Sequence, residues 1–169
     1  MSSISVKNFM KQQGFTEEPD SVCDGHFSGL SFQPKVLGMM VVIGLLLQSP
    51  MYFLVLSAVL WWNVAFKRWN LFELLYNRVV ARPGGKELLG PAPPPRLFAQ
   101  GMAATFFLLT GLALLSGWVL AAWIFEALVV IAIAALLFGK FCMGSYIYHL
   151  SHGKISFANA TLPWVRSER

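Results

Sequence analysis

Two long uncharged or nearly uncharged runs dominate the chain. Val36 to Phe66 carries no charged side chain, and Leu97 to Gly139 carries one, Glu126. A single helix over the first run would be about 46 Å long at about 1.5 Å per residue, too long for a hydrocarbon core of about 30 Å. Gln48-Ser49-Pro50 falls near its middle, and proline disfavours helix at the preceding residue. The pattern therefore predicts two short apolar helices, Val36–Leu47 and Met51–Phe66. A single kinked span over the same run, giving three spans and an outside N-terminus, is the alternative. In the second run Ser116-Gly117 is the turn signal, which predicts spans Leu97–Leu115 and Trp118–Gly139. The last helix is expected to run on through Cys142 to Leu150.

Between the runs, residues 67–96 are basic, with Lys67, Arg68, Arg78, Arg82, Lys86 and Arg96 against Glu73 and Glu87. Trp69 to Val80 has helical period: Leu71, Leu74, Leu75 and Val79 share one face, and Asn70, Glu73 and Asn77 another. This reads as an amphipathic helix in the membrane interface, with Trp69 and Tyr76 at headgroup depth. Gly84-Gly85 then breaks the pattern. Pro91 and Pro93 to Pro95 form a stiff approach to the next span. Residues 1–33 read as a polar, partly mobile cap that Phe15, Phe27, Leu30 and Phe32 dock onto the membrane surface. Residues 151–169 form a C-terminal tail.

The expected architecture is an all-α integral membrane protein of four transmembrane helices. They form two hairpins, with an interfacial amphipathic helix between them, over residues 34–150. Composition agrees: 56% of residues are hydrophobic and 12% charged, against about 25% charged in soluble domains, and the mean hydropathy is +0.60. The net charge of +5 lies in the flanks of the apolar runs. That distribution fits the positive-inside rule with both termini cytoplasmic, and it excludes a nucleic-acid groove. The first residues are too polar for a cleavable secretory signal, so an internal span is expected to direct insertion.

Few residues offer chemistry. Glu126 lies about 12 Å along its helix from Trp118, near the expected midplane. A carboxylate facing lipid there costs roughly 2.5 kcal/mol or more. It is either a proton-relay or quinone-anchoring group, or an acid bonded to Thr105, Thr110, Asn63 or a backbone carbonyl. Cys142, Ser145 or Tyr146, His149 and His152 fall on one helical face. A thiolate with two imidazoles is a ligand set for zinc or copper, and His149 is also a candidate haem ligand. The fourth ligand is missing, and the spacing is no established metal pattern. The Cys23-Asp24-Gly25-His26 segment completes such a site only if the N-terminal cap folds back. Tyr146 and Tyr148 read equally well as interfacial anchors, and Met39, Met40, Met51 and Met102 as packing residues. No phosphate loop, Ser-His-Asp set or paired carboxylates appear.

Pro95-Arg96-Leu97-Phe98-Ala99-Gln100 before a span, Leu75-Tyr76-Asn77-Arg78 in the basic loop, and Gly139-Lys140-Phe141-Cys142-Met143-Gly144 after the last hairpin together resemble a bacterial membrane family. It is the one catalogued as domain of unknown function 4395. The likeness covers roughly residues 34 to 150. The family's Cys-x-Gly-Cys followed by Tyr maps onto Cys142, Gly144 and Tyr148, with Ser145 in place of the second cysteine. Its initial Cys-Pro meets Cys23 followed by Asp24. The resemblance implies thiol redox or metal work for the paired cysteines, and a serine cannot close the disulfide.

Three functions remain in view. The first is a non-enzymatic accessory or structural subunit of a larger inner-membrane complex. Its partners would be lipid and other membrane subunits or a second copy, met by Trp61, Trp62, Trp69, Trp118, Trp123 and Trp164. The second is a thiol- or quinone-linked redox protein using Cys142 with His149 nearby and Glu126 as proton acceptor. The third is a transporter component.

Overall fold

A computed structural model describes residues 4–15, 29–86 and 88–165. An N-terminal helix α1 covers Ile4–Gln13. Helix α2 (Phe32–Leu47) and helix α3 (Pro50–Ala65) make up a first pair joined by a reversal, with α3 packed along the later helix over Pro94–Leu115. A short helix α4 (Leu71–Tyr76) continues as one wider turn over Asn77–Ala81. Helices α5 (Pro94–Leu115) and α6 (Val119–Leu137) form a second pair. Two short helices, α7 (Met143–Ser151) and α8 (Ile155–Ala160), finish the described chain.

The breaks follow local chemistry. Gln48 closes α2 in the left-handed region at φ 45°, with its N–H on the Gly44 carbonyl. Pro50 then opens α3 at a first-turn position, where its missing N–H is no loss. The sequence break at Gln48-Ser49-Pro50 is thus a true helix reversal rather than a kink. Tyr52 Oη donates to the Met40 carbonyl at 2.8 Å, and Gly44 lies directly under the Phe53 ring. Both contacts require the two helices to fold back on each other. The second reversal uses Gly117 at φ 75°.

Helices α5 and α6 are each long and apolar enough to cross a membrane. Helices α2 and α3 have 16 residues each, about 24 Å at about 1.5 Å per residue. The first pair is therefore the shorter one. Its core, Leu37 and Val41 with Phe53, Leu56 and Leu60, packs onto Phe107 of α5 and Val129 of α6. Ser57 Oγ donates to the Ala104 carbonyl at 2.8 Å, tying α3 to α5.

Around this apolar core the helix pairs also bury polar side chains and expose many apolar ones. Asn63, Thr110, Glu126, Gln33 and Gln100 are buried, while Met39, Leu46, Val55, Leu120, Ile124 and Ile131 are exposed. Only Ala122, Glu126 and Val129 of α6 are fully covered. Helix α4 does the same on a smaller scale. Its Leu71, Leu74 and Leu75, with Val79 in the following turn, face outward, and Phe72, Glu73 and Tyr76 face the protein. Asn70 caps it, accepting from the Phe72 and Glu73 N–H groups.

Several expectations are corrected. Tyr76 is 2% exposed and packs at 5.5 Å against the Phe32 ring, so it is a core residue and no headgroup anchor. The last long helix does not reach Leu150. It stops at Leu137, the chain reverses at Lys140 (φ 49°), and α7 starts after Cys142. The N-terminal residues 4–13 are helical and dock on protein, with Phe9 and Met10 packed among Leu30, Tyr76 and Cys142. Asn8 Nδ2 holds the C-terminal tail through the Leu162 and Val165 carbonyls, each at 2.8 Å.

Candidate functional site

Two polar centres lie inside the helices. The first joins the two helix pairs near their reversals. Gln48 Nε2 donates to both carboxyl oxygens of Glu126, at 3.1 and 3.2 Å. None of the side chains expected as partners of Glu126 bonds to it, and Asn63 Nδ2 is left without a partner among the described residues. Thr105 and Thr110 hydroxyls donate back to the Gly101 and Phe106 carbonyls of their own helix, and Asn63 Oδ1 accepts from the Leu71 N–H. Threonine in a helix satisfies itself this way, so the long-range partner is the amide exposed by the α2–α3 reversal. Its signal in the sequence is the lone Gln48 in an uncharged run.

The second centre is larger and lies at the opposite end, where α1, α4, α5 and α7 meet. Arg96, in the first turn of α5, is 5% exposed. One of its guanidinium nitrogens donates to Gln33 Oε1 at 3.0 Å, and Gln100 Nε2 donates to the same oxygen at 2.9 Å. Gln100 Oε1 has no partner. Among the described residues no carboxylate stands within ion-pair distance of Arg96. Glu73 acts on it from further away. Burial pushes the Glu73 carboxyl from 4.5 up to about 7, and the Arg96 charge pulls it back only in part.

Beside Arg96 lie the cysteine and histidine of the α7 segment. Cys142 is buried, and its backbone N–H donates to Gln12 Oε1 at 2.7 Å. Ser145 Oγ lies 3.3 Å from Cys142 Sγ and 3.2 Å from the Pro95 carbonyl, donating to either. His149 Nε2 is 3.0 Å from the Gln12 carbonyl oxygen, which fixes a proton on Nε2, and Nδ1 has no partner. Helix α7 can approach α5 this closely because Gly144 sits on Ala99, where an added Cβ would stand 2.6 Å from the Ala99 Cα.

The predicted face is therefore divided. Cys142, Ser145 and His149 come together against α1 and α5. His152 is exposed, with Nδ1 2.8 Å from the Tyr148 carbonyl, and Tyr146 bonds Asn159. His152 thus cannot join Cys142 and His149 around one ion. Among the described residues no group of three or more metal-ligating side chains forms. Cys23 and His26 lie outside the described residues. Gln12, Gln33, Arg96 and Gln100 also belong to this centre, although residue type alone does not single them out. The available signal is the four-residue spacing of Arg96 and Gln100 at the head of an apolar helix.

An apolar cavity of about 290 Å³ opens from this second centre between α2, α5 and α6. Arg96, Gln33, Gln100 and Cys142 line its polar end.

No curated protein and no solved structure matches the chain. The profile of Domain of unknown function (DUF4395) matches residues 28–152, a stretch that holds both helix pairs, Arg96 and Cys142. The chain belongs to that family.

Proposed function

We propose that this chain is a multi-pass protein of the bacterial inner membrane that works without catalysis, as an accessory subunit of a larger membrane assembly. One observation supports the placement above all. The helix pairs bury polar side chains and leave many large apolar ones exposed around an apolar core, an arrangement that lipid favours and water penalises. In this reading both reversals point toward the outer side, Ser116–Gly117 at the surface and Gln48–Ser49 deeper, at the level of Glu126. Helices α1, α4, α7 and α8 form a basic cytoplasmic layer, with Lys67, Arg68 and Arg78 exposed on it. The accessory role rests on the same outward surface, where Trp61, Trp62, Trp118 and Trp123 are exposed. Glu126 supports it too, being held by Gln48 as an anchor between the pairs rather than as a relay.

The test is extraction of the tagged, full-length protein in mild detergent, followed by mass spectrometry of what remains bound. Stoichiometric membrane subunits are expected. Isolation of the chain alone, under conditions that keep other inner-membrane complexes intact, overturns the accessory role. Thiol labelling of single cysteines at Ser3 and Ser116 tests the topology, and label entering both from the same side overturns it.

A second reading, thiol- or quinone-linked redox work at Cys142, is favoured by one feature. The thiol lines the cavity beside Arg96 with Ser145 in contact. A Cys142→Ser strain with unchanged growth and respiration counts against it.

A further inference from the structure

The cavity beside Arg96 has the shape of a slot. On α5 it follows Arg96, Ala99, Ala103 and Phe106, and on α6 it follows Leu136, Ala132 and Leu128. From Arg96 to Phe106 the slot descends about 15 Å at about 1.5 Å per residue. One leaflet of a hydrocarbon core is about half of its roughly 30 Å. The slot thus runs from the start of the span to the middle of the membrane. Its volume of about 290 Å³ stands at the bottom of the range for ligand pockets, about 300 to 1,000 Å³. That is room for one aliphatic chain.

Its head is built for an oxyanion. A guanidinium offers five donors, and Arg96 spends one hydrogen bond on Gln33. No carboxylate stands at ion-pair distance among the described residues, and a buried cation left so is costly. One helical turn deeper, Gln100 Oε1 is a buried acceptor without a donor. The groups therefore ask for an anion at the rim, a hydroxyl about 6 Å below it, and an apolar chain below that.

We propose that the slot binds a monoacyl glycerophospholipid. Its phosphate sits on Arg96, the free hydroxyl of its glycerol backbone donates to Gln100 Oε1, and its acyl chain fills the space between α2, α5 and α6. A second acyl chain would take the place of that hydroxyl and leave Gln100 Oε1 without a donor. The inference rests on the membrane placement above, though not on the accessory role.

Native mass spectrometry of the full chain from detergent tests it with two probes of equal chain length. Lysophosphatidylglycerol is expected to bind at least about tenfold more tightly than the monoacylglycerol, which has no phosphate. Arg96→Gln should erase that preference. Ala103→Phe, which fills the slot, should remove both ligands. Equal binding of the two probes to the wild-type protein overturns the proposal, and this comparison needs no variant to fold. Diacyl phosphatidylglycerol binding as tightly as the monoacyl form also overturns it. Alkaline extraction of native membranes reads the placement separately. Protein that stays in the membrane yet shows no phosphate preference defeats this inference alone, whereas protein released by alkali defeats the placement.

Discussion

Gln48 and Glu126 fasten the reversal of the first helix pair to the second turn of α6, through two hydrogen bonds of 3.1 and 3.2 Å. The contact sets the relative depth of the pairs. Glu126 lies about 12 Å along the helix from Trp118, so the first reversal stops short of the second by about that distance. Helices of about 24 Å suit such a shallow pair. The Glu126 carboxyl is thereby matched with an amide that the short hairpin delivers to the same level along α6. Gln48→Leu is expected to strand Glu126 and lower stability by about 1–3 kcal/mol. The double change Gln48→Leu with Glu126→Leu should recover most of the loss, because removing both partners leaves nothing unpaired. Thermal unfolding in detergent of the two single variants and the double variant measures this. A double variant no more stable than Gln48→Leu would show that the pair is not what holds the level.

Gly144 predicts a steric limit. A Cβ there would meet the Ala99 Cα and Cβ, both at 2.6 Å. Backbone cannot step aside as a flexible side chain does, so α7 must move off α5. Gly144→Ala is expected to cost about 1–3 kcal/mol and to loosen the contact between Cys142 and Ser145. Gly90→Ala, where nothing lies within 4 Å, is the control and should leave the melting temperature in place. Equal melting temperatures for the two variants would mean that α7 is not seated on Ala99.

The elements legible in the sequence are those set by long uninterrupted patterns. Both reversals can be read because Gln48-Ser49-Pro50 and Ser116-Gly117 are strong local breaks inside apolar runs. The outward face of Leu71, Leu74, Leu75 and Val79 follows from period alone. What escapes the pattern depends on tertiary contact. The seat of α7 after the Lys140 turn uses Gly144 on Ala99, a pairing across distant segments. Tyr76 looks like an anchor because tyrosine favours interfaces, whereas Phe32 and Leu30 cover it here. Gln12, Gln33 and Gln100 are ordinary one by one and gain meaning only when three helices bring them to Arg96 and Cys142. Cys142 and His149 can be picked out by residue type. Exclusion of His152 cannot, since it depends on where α7 ends.

Glu73 predicts a pH effect with a definite sign. Its carboxyl titrates at about 7 in the folded protein against 4.5 when unfolded. Between those values the folded form binds more protons, so stability falls as pH rises. Below 4.5 both forms are protonated and the stability tied to this group is fully present; above about 7 it is lost. Glu73→Gln is expected to flatten the melting temperature across this window and to exceed the wild type at about pH 8. Melting curves taken from about pH 4 to about pH 8 check both points. A wild type that gains stability with rising pH while Glu73→Gln stays flat would reverse the assignment.

Ser145→Cys predicts restored thiol pairing. Ser145 Oγ stands 3.3 Å from Cys142 Sγ across the first turn of α7, and a disulfide needs Cα atoms about 4.4–6.8 Å apart with sulfurs about 2 Å apart. Cys142 holds an extended backbone just before the helix, so a modest rotation of the two side chains can close the remaining gap. Mild oxidation with diamide, which takes up the two electrons and two protons, should join Cys142 to the introduced cysteine in this variant. The wild-type chain, with serine there, should form no such bond. Mass spectrometry of peptides from the oxidised protein, with and without prior reduction, reads the link directly. A variant that keeps both thiols free under diamide, although folded, would show that the pocket of Gln12, Pro95 and Arg96 holds Cys142 too firmly to turn. In that case the serine at position 145 is a packing choice and not the loss of a redox partner.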